Sequence, residues 1–405
     1  MSSGADTGPF PVAQGTTPSV PAHLYVHVPL CAEKCSYCDF FSIAAAHAPV
    51  SPSQVADGLL NQATAWLERG LALRPLETLY VGGGTPTVLR AYLPALVASL
   101  TERFGLAAGA EVTVEANPDS LDAELCDALS GAGVTRVSVG VQSLDADELK
   151  TLGRVHDPEQ ALRAAQAVRA AGLALSIDLM CGLPGQELRS WARTLTGTIG
   201  TGAEHVSVYP LSLEAGTPLA AAAVIGEVDE PDPDVAADLL LAAEQMLTDA
   251  GFRRYEIANY ARPGAESRHN TAYWTGREYL GVGPGAHGML AASTARAAGI
   301  LVPEGAGAAR VRYSVACDLD AGLTVMPRID IEVLSGSEAL REDVMLGLRL
   351  TRGVAETAAE DAGVTRALER LLPMALVERA DGCWRLTRRG WLLANEVFGA
   401  VWAGE

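Results

Sequence analysis

The chain has 405 residues and a formal net charge of −19, with 30 Lys and Arg against 49 Asp and Glu. A surface this negative repels phosphate backbones and anionic lipids, so neither nucleic acid nor a bilayer is expected as the main partner. Hydrophobic residues make up 49% of the chain, yet no uninterrupted apolar run approaches the roughly 18–20 residues of a membrane span. We therefore predict a globular, cytoplasmic protein without stable membrane insertion.

Composition and patterning divide the chain into four parts. Residues 1–22 are rich in Gly, Ser, Thr and Pro and lack a basic segment followed by an apolar one, which predicts a disordered lead-in and no secretory signal. Residues 23–250 alternate between strand-like and helical patterns and form the predicted core. A loop-rich extension over 251–335 follows, in which only Val311–Val315 is predicted as a strand, and residues 336–405 form a separate C-terminal unit.

Six short apolar runs in the core predict buried strands, because each is rich in Val, Leu or Ile and bounded by helical stretches. The runs are Leu24–Val28, Leu76–Val81, Glu111–Glu115, Arg136–Val141, Leu173–Met180 and His205–Leu211. Repeated alternation of strand and helix indicates parallel strands joined by right-handed crossovers. Six units are fewer than the eight of a closed barrel, so we predict an α/β core built as a partial (β/α)6 barrel of the TIM type.

Two of the intervening helices have recognisable ends. One is predicted to begin at Ser51-Pro52 and to end at Gly70, and the other to begin with a capping box at Asp157 and to end at Gly172. The first should bury an apolar stripe formed by Val55, Leu59, Ala63 and Trp66.

The C-terminal unit reads as two helices at about 337–350 and 355–371, a hairpin around Asp381-Gly382, and a last helix to Val401. This order resembles a winged-helix fold, which often binds DNA. From Gly336 onward, however, the sequence contains nine Arg and eleven Asp or Glu. A DNA-binding regulator with an iron–sulfur sensor is therefore disfavoured.

Three of the seven cysteines lie within eight residues, directly after the first predicted strand: Cys31, Cys35 and Cys38. Such crowding favours a metal site in a reducing compartment over a disulfide framework. Thiolates are the ligands that iron–sulfur clusters require, and three of them leave the fourth iron of a cubane open. A zinc site would need a fourth Cys or His nearby, for which His27 and His47 are the candidates. The other four, Cys126, Cys181, Cys317 and Cys383, are predicted to be small core residues.

The cysteine spacing, with Tyr37 before the last Cys, resembles that of the radical S-adenosylmethionine superfamily. That resemblance implies a [4Fe–4S] cluster whose open iron is chelated by S-adenosylmethionine. Over roughly 23–290 the chain more closely resembles the oxygen-independent coproporphyrinogen III oxidases and their haem-chaperone relatives, the HemW group, beginning with the segment Tyr25–Cys31.

Polar residues at strand ends are the candidates for holding S-adenosylmethionine. The Gly-rich run that contains Gly83, Gly84 and Thr85 follows the second strand, and it is either a tight turn or a close backbone approach to a ligand. The resemblance favours the ligand and adds further positions at the carboxyl ends of strands, where barrels keep their sites. These are Tyr25, Tyr37, Glu115, Gln142, Arg154 and Asp178. Asp178 lies in an apolar run and needs a partner, which a ribose hydroxyl or an Arg could supply.

Two features separate the oxidases from the haem chaperones. The oxidases place a further Cys two positions after the third ligand, where this chain has Phe40. The segment from His269 to Trp274 matches the HN-x-x-YW pattern of the haem-chaperone group, which implies that His269 binds haem; residues alone would favour a packed, hydrogen-bonded His. His287, in a nearby Gly-rich segment, is left unassigned. We expect a haem chaperone that delivers haem to an acceptor haem protein such as a respiratory one, and we expect it to be able to form a homodimer. The alternative function is coproporphyrinogen III dehydrogenation.

Overall fold

The computed structural model of the protein describes residues 21–69, 74–303 and 307–404. Within them, the main sheet has nine strands, and its middle six run parallel in chain order. These six are β1 His23–Val28, β2 Leu76–Gly83, β3 Leu106–Ala116, β4 Arg136–Gln142, β5 Ala174–Cys181 and β6 His205–Pro210. Every one of the six predicted strands is present at nearly its predicted place.

The sheet does not close into a full barrel. Its far edge carries two antiparallel strands beyond β6, and its near edge carries one parallel strand beside β1. These are β7 Arg253–Arg254, β8 Asn259–Ala261 and β9 Leu280–Val282. The predicted partial barrel is therefore confirmed, and β9 adds a seventh parallel strand that was not predicted.

Helices cover the outside of the sheet, and their ends follow the predicted signals. They are α1 Pro52–Glu68, α2 Tyr92–Phe104, α3 Ala123–Gly131, α4 Ala146–Thr151, α5 Pro158–Ala170, α6 Leu188–Gly200, α7 Pro218–Val224 and α8 Pro233–Asp249. Asp157 forms the expected capping box with Gln160, and the predicted stripe of α1 is buried. The stop predicted at Gly70 lies outside the described residues, as does most of the lead-in. Its final residue, Ala22, is buried and accepts a hydrogen bond from Glu77 N at 2.7 Å.

The extension contains a second, antiparallel sheet that the sequence did not reveal. The short helix α9 Arg268–Trp274 precedes it, and the sheet strands are β10 His287–Ala291, β11 Ala308–Val315 and β12 Ile329–Ser335, with α10 Ala292–Ala297 and α11 Leu319–Gly322 between them. Only part of β11 was predicted, because β10 contains Gly288 and β12 is largely exposed.

Cys317 follows β11 and is exposed, so its prediction as a core residue was wrong. Cys126, Cys181 and Cys383 are buried as predicted.

The C-terminal domain is helical, with a small sheet. It contains α12 Gly336–Gly347, β13 Val354–Ala355, α13 Glu356–Asp361, α14 Thr365–Leu371, the hairpin strands β14 Val377–Ala380 and β15 Cys383–Leu386, α15 Arg388–Leu392 and α16 Ala394–Ala403. The predicted single helix over 355–371 is two helices, because Gly363 adopts φ +71° between them.

The C-terminal domain is docked against the extension. Thr351 N donates to Tyr255 O at 3.0 Å, and Trp391 Nε1 donates to Ile257 O at 2.8 Å. The Arg349 guanidinium also lies 4.1 Å from the Trp274 ring centre. These contacts place the domain beside α9. No helix among the described residues is long and apolar enough to cross a membrane.

Candidate cofactor site and haem segment

The three cysteines lie on a loop at the carboxyl end of the barrel. Cys31 is buried in a two-residue strand that pairs with Ile43–Ala44, whereas Cys35 and Cys38 are partly exposed. The loop is fixed to the end of α4, since Ser36 N donates to Leu152 O at 3.1 Å. The sequence therefore folds into one short loop on which the three thiols are close enough to affect one another electrostatically.

The donor set fits an iron–sulfur cluster. Burial raises the pKa of the Cys31 thiol and raises that of Cys38 to about 11, so both need a strong cation nearby to become thiolates. Among the described residues, no three His, Cys, Asp or Glu side chains are arranged to hold a single metal ion. In a [4Fe–4S] cluster each thiolate binds a different iron, so three thiols on one loop are a chemically suitable donor set.

The Gly-rich run passes directly beneath the cysteine loop. Thr85 N donates to Leu30 O at 2.6 Å, and a Cβ on Gly84 would lie 2.5 Å from Leu30 O and 3.0 Å from Cys31 Sγ. Gly83 has φ +108° and packs against the His27 ring. The three residues hold the backbone against the first predicted ligand, which only glycine at 83 and 84 allows.

Glu115, near the end of β3, and Tyr25, in β1, both contact Tyr80 of the intervening strand β2. Glu115 accepts a hydrogen bond from Tyr80 Oη at 2.6 Å and another from Gly83 N at 3.0 Å. Burial raises the pKa of Glu115 to about 7, although both hydrogen bonds act to lower it. Tyr25 stacks on Tyr80 with ring centres 6.0 Å apart. Tyr80 was missed by the sequence reasoning, because an aromatic within an apolar strand reads as core.

Arg154 connects the cysteine loop to β3 and β4. Its guanidinium donates to Cys35 Sγ at 3.3 Å, to Asn117 Oδ1 at 2.9 Å and to Gly140 O. Asn117 Nδ2 in turn donates to Thr85 Oγ1 at 3.0 Å. Asn117 was not selected from the sequence, since an Asn before a Pro usually marks a turn.

Gln142 stands at an irregularity of the sheet. The register of β4 against β5 shifts between Gly140 and Gln142, and Gln142 has φ +63°. Non-glycine residues rarely adopt this left-handed conformation, and such strain concentrates at functional sites. The bulge brings Gln142 Nε2 and the Arg154 guanidinium close to Gly140.

Asp178 lies in the barrel interior, where two serine hydroxyls hydrogen-bond to it. It accepts hydrogen bonds from Ser207 Oγ at 2.7 Å and from Ser138 Oγ at 3.0 Å. Burial raises its pKa, and these two hydroxyls act against that rise. The serines come from the neighbouring strands β6 and β4, so the pairing depends on strand order and could not be read from local sequence.

Tyr37 is partly buried near Arg154 and packs against Leu152 and its neighbours.

His269 lies at the other end of the barrel, in α9. It is 1% exposed; its Nδ1 is 2.6 Å from Thr78 Oγ1, and its Nε2 is 2.7 Å from Tyr273 Oη. Both ring nitrogens are thus engaged, and iron could reach Nε2 only after Tyr273 moves. His287 is exposed on β10.

Comparison with known proteins supports this arrangement. Residues 25–196 match the model of the radical SAM superfamily, and residues 334–393 match that of the HemN C-terminal domain. The solved structure of the Escherichia coli coproporphyrinogen III oxidase HemN superposes with a TM-score of 0.75 at 23% identity, over 95% of this chain and 91% of that one. An open parallel barrel with a three-cysteine loop after its first strand therefore defines this protein as a radical S-adenosylmethionine protein.

Curated relatives narrow the family. The chain is 37% identical to the heme chaperone HemW of Mycobacterium tuberculosis over 94% of both chains, and 32% identical to that of Bacillus subtilis over 93% of this chain and 98% of that protein. It is also 40% identical to the bovine mitochondrial radical S-adenosyl methionine domain-containing protein 1, over 71% of this chain and 62% of that one. The chain belongs to the HemW family of radical SAM proteins.

Proposed function

We propose that this protein is a cytoplasmic haem chaperone, which binds one haem and transfers it to an acceptor haem protein such as a respiratory one. The observation that carries the proposal is the similarity to heme chaperone HemW over nearly the whole chain. Phe40 supports it locally, because the oxidases that the cysteine motif resembles have a Cys at that position. Phe40 is 63% exposed beside the loop, so it is not needed for core packing there.

In this proposal Cys31, Cys35 and Cys38 hold a [4Fe–4S] cluster, which supplies an electron-transfer centre with one open iron. S-adenosylmethionine would be held by the polar side chains and glycines at the same end of the barrel. These are Tyr25, Tyr37, Gly83, Gly84, Thr85, Glu115, Gln142, Arg154 and Asp178. Arg154 acts here by fixing Cys35 to Asn117 and to β4, and Glu115 acts by fixing the Gly83 backbone.

The haem role of the segment 269–274 needs a specific condition. His269 can be an iron ligand only if Tyr273 Oη leaves its Nε2, since the two atoms lie 2.7 Å apart. His269 is also held through its backbone, because its N–H donates to Glu111 Oε1 at 3.0 Å. A direct role for His269 therefore implies local opening of α9 when haem binds.

Anaerobic reconstitution with iron and sulfide, followed by haem titration, tests the proposal. We expect one haem per chain, and loss of the brown cluster colour and of bound iron when the three cysteines are replaced by Ser. The same preparation, given reductant, S-adenosylmethionine and coproporphyrinogen III, should form no protoporphyrinogen. Stoichiometric product formation without haem binding would assign the protein to the oxidases instead. Light scattering with and without haem reports whether the protein forms the proposed homodimer.

A further inference from the structure

A large cavity lies at the amino end of the barrel, opposite the cysteine loop. Its volume is about 1100 Å3, at the upper end of the ~300–1,000 Å3 that small-molecule sites occupy. Its wall includes the first residues of several parallel strands, among them His23, Arg136 and Ala174, together with Leu350 and Arg352 at the edge of the C-terminal domain. Since β1 has six residues at ~3.3 Å each, the cavity and the cysteine loop are roughly 20 Å apart.

The cavity collects positive charge in an otherwise acidic protein. Four arginines line it, against three glutamates, whereas the whole chain has a net charge of −19. Arg136 is 8% exposed, and among the described residues its Nη1 has no hydrogen-bond acceptor; the nearest carboxylate oxygen is Glu111 Oε2 at 3.6 Å. Glu111 is already engaged, since it also accepts from the backbone N–H of Arg268 and of His269. Arg136 Nη2 already donates to Ala265 O at 2.8 Å, so Nη1 is the part of this buried guanidinium that would meet an anionic ligand.

We propose that this amino-end cavity is where haem is held, with its propionates directed to the arginines and with His23 as the imidazole that meets the iron. The inference rests on the proposed haem-binding function and adds the place and the contacts. Haem combines the features that this cavity would recognise: a flat apolar ring, two carboxylates and an iron that takes imidazole. Tyr255, an aromatic residue, lines the same cavity.

His23 has the geometry of an iron ligand supported from behind. It lines the cavity, and its Nδ1 is 2.9 Å from Thr78 Oγ1. The same hydroxyl oxygen contacts His269 Nδ1, and a hydroxyl has a single proton. At least one of the two histidines must therefore carry its proton on Nδ1. When His23 carries it, Nε2 of His23 keeps a free lone pair.

In this arrangement His269 is a positioning residue. His23 donates to Thr78, Thr78 donates to His269 Nδ1, and His269 Nε2–H donates to Tyr273 Oη, so that every hydrogen bond of the chain has one proton. Such a hydrogen bond behind a ligating histidine fixes its tautomer and orientation. The segment 269–274 would thus support haem binding without direct contact between His269 and the iron.

His23 is also neutral at physiological pH, as an iron ligand must be. Burial lowers its pKa to about 4; Glu77 opposes this change, and Arg277, Arg268 and Arg74 reinforce it. The arginines of the cavity therefore have two effects in the same direction, because they attract carboxylates and keep the imidazole deprotonated.

Titration of haem into the cluster-loaded protein tests the arginines. Arg268→Ala with Arg352→Ala should weaken haem binding about tenfold or more, and should change the affinity for haem dimethyl ester, which lacks the carboxylate charges, much less. Arg163→Ala with Arg366→Ala removes the same charge from exposed helix positions and should leave both affinities within about twofold. Equal weakening of haem and ester binding would overturn the propionate assignment.

Absorption and electron paramagnetic resonance spectra test the imidazole. His23→Ala should lose the histidine-ligated haem spectrum and regain it when free imidazole is added, while His269→Ala should keep a histidine-ligated spectrum with a shifted signal. The reverse pattern, with imidazole rescue only in His269→Ala, would overturn the assignment of His23. Cluster iron content and circular dichroism serve as folding controls. Absence of haem binding by the wild type would refute the proposed function itself, whereas unchanged binding in all cavity variants would refute only this location.

Discussion

Tyr80 stacks on His269 inside the barrel, with ring centres 5.0 Å apart and ring planes 27° from parallel. On one side Tyr80 Oη donates to Glu115 at the carboxyl end, and on the other side His269 connects through Thr78 to His23 at the amino end. A continuous column of packed and hydrogen-bonded side chains therefore crosses the barrel. It joins the proposed S-adenosylmethionine site to the proposed haem cavity, which are otherwise separated by the length of the strands.

Replacing Tyr80 with Phe tests the upper part of this column. The variant keeps the ring but removes the hydroxyl that donates a hydrogen bond to Glu115. That hydrogen bond lowers the pKa of Glu115, which burial has raised to about 7. We expect the pKa of Glu115 to rise by about one pH unit. Infrared difference spectra of the carboxyl band against pH measure this pKa, and Glu115→Gln identifies the band. An unchanged midpoint would show that the hydrogen bond does not favour the carboxylate.

Gly84→Ala tests the close approach beneath the cysteine loop. Its Cβ would lie 2.5 Å from a backbone oxygen, which cannot move aside as a flexible side chain could. We expect a loss of about 1–3 kcal/mol in the free energy of unfolding and a fall in bound iron after reconstitution. Gly131→Ala is the matched control, because nothing lies within 4 Å of its Cβ. If both variants retain the same iron, the glycine is not needed to place Cys31.

The core strands were predictable because each is a local pattern. Apolar runs such as Leu76–Val81 are buried on both faces, and burial alone determines their composition. The second sheet was not predictable, since β12 is mostly exposed and depends on pairing with β11. The split of the helix over 355–371 shows the same limit, because a single glycine decided between one helix and two.

Site residues that belong to a sequence motif were predictable, whereas partners brought together by the order of the strands were not. The three cysteines and the Gly-rich run lie together at the carboxyl end, as their spacing and position after strands indicated. The partners of Asp178 are serines from strands β4 and β6, which lie 40 and 29 residues away along the chain. For His269 the residues alone favoured a packed, hydrogen-bonded side chain, but its partner Thr78 lies 191 residues away and could not be read from the local sequence.

Arg154→Lys should disturb the cysteine loop although it keeps the charge. A planar guanidinium contacts Cys35, Asn117 and Gly140 at once, and an ammonium group cannot reproduce this fork. We expect S-adenosylmethionine binding to weaken about tenfold and the spectrum of the reduced cluster to shift. Arg193→Lys, at an exposed pair with Asp145, is the control. Identical spectra and affinities in the two variants would count against this role for Arg154.

His205 should make stability depend on pH. Burial, with a further effect of Arg136, lowers its pKa to about 3, so the unfolded chain takes up the proton first as pH falls below about 6.5. The free energy of unfolding therefore keeps its full value above that pH and falls on acidification. His205 alone should account for a loss of about 2 kcal/mol at pH 5. Urea unfolding of the iron-free protein at pH 7.5 and 5 measures the loss, which should be smaller in His205→Gln by that amount. An equal loss in both proteins would mean that another group controls the acid side.

Tyr273→Phe separates the two possible iron ligands. The substitution frees Nε2 of His269, which otherwise lies 2.7 Å from the tyrosine hydroxyl, and keeps the ring packed on Tyr279 with centres 4.5 Å apart. If His23 is the ligand, haem affinity should stay within about twofold of the wild type, because the tyrosine hydroxyl lies three hydrogen bonds behind the iron-bound imidazole. If His269 were the ligand, removing its competitor should strengthen binding clearly. Haem titration followed in the Soret band decides between them, and His23→Ala with Tyr273→Phe shows whether the freed nitrogen can substitute.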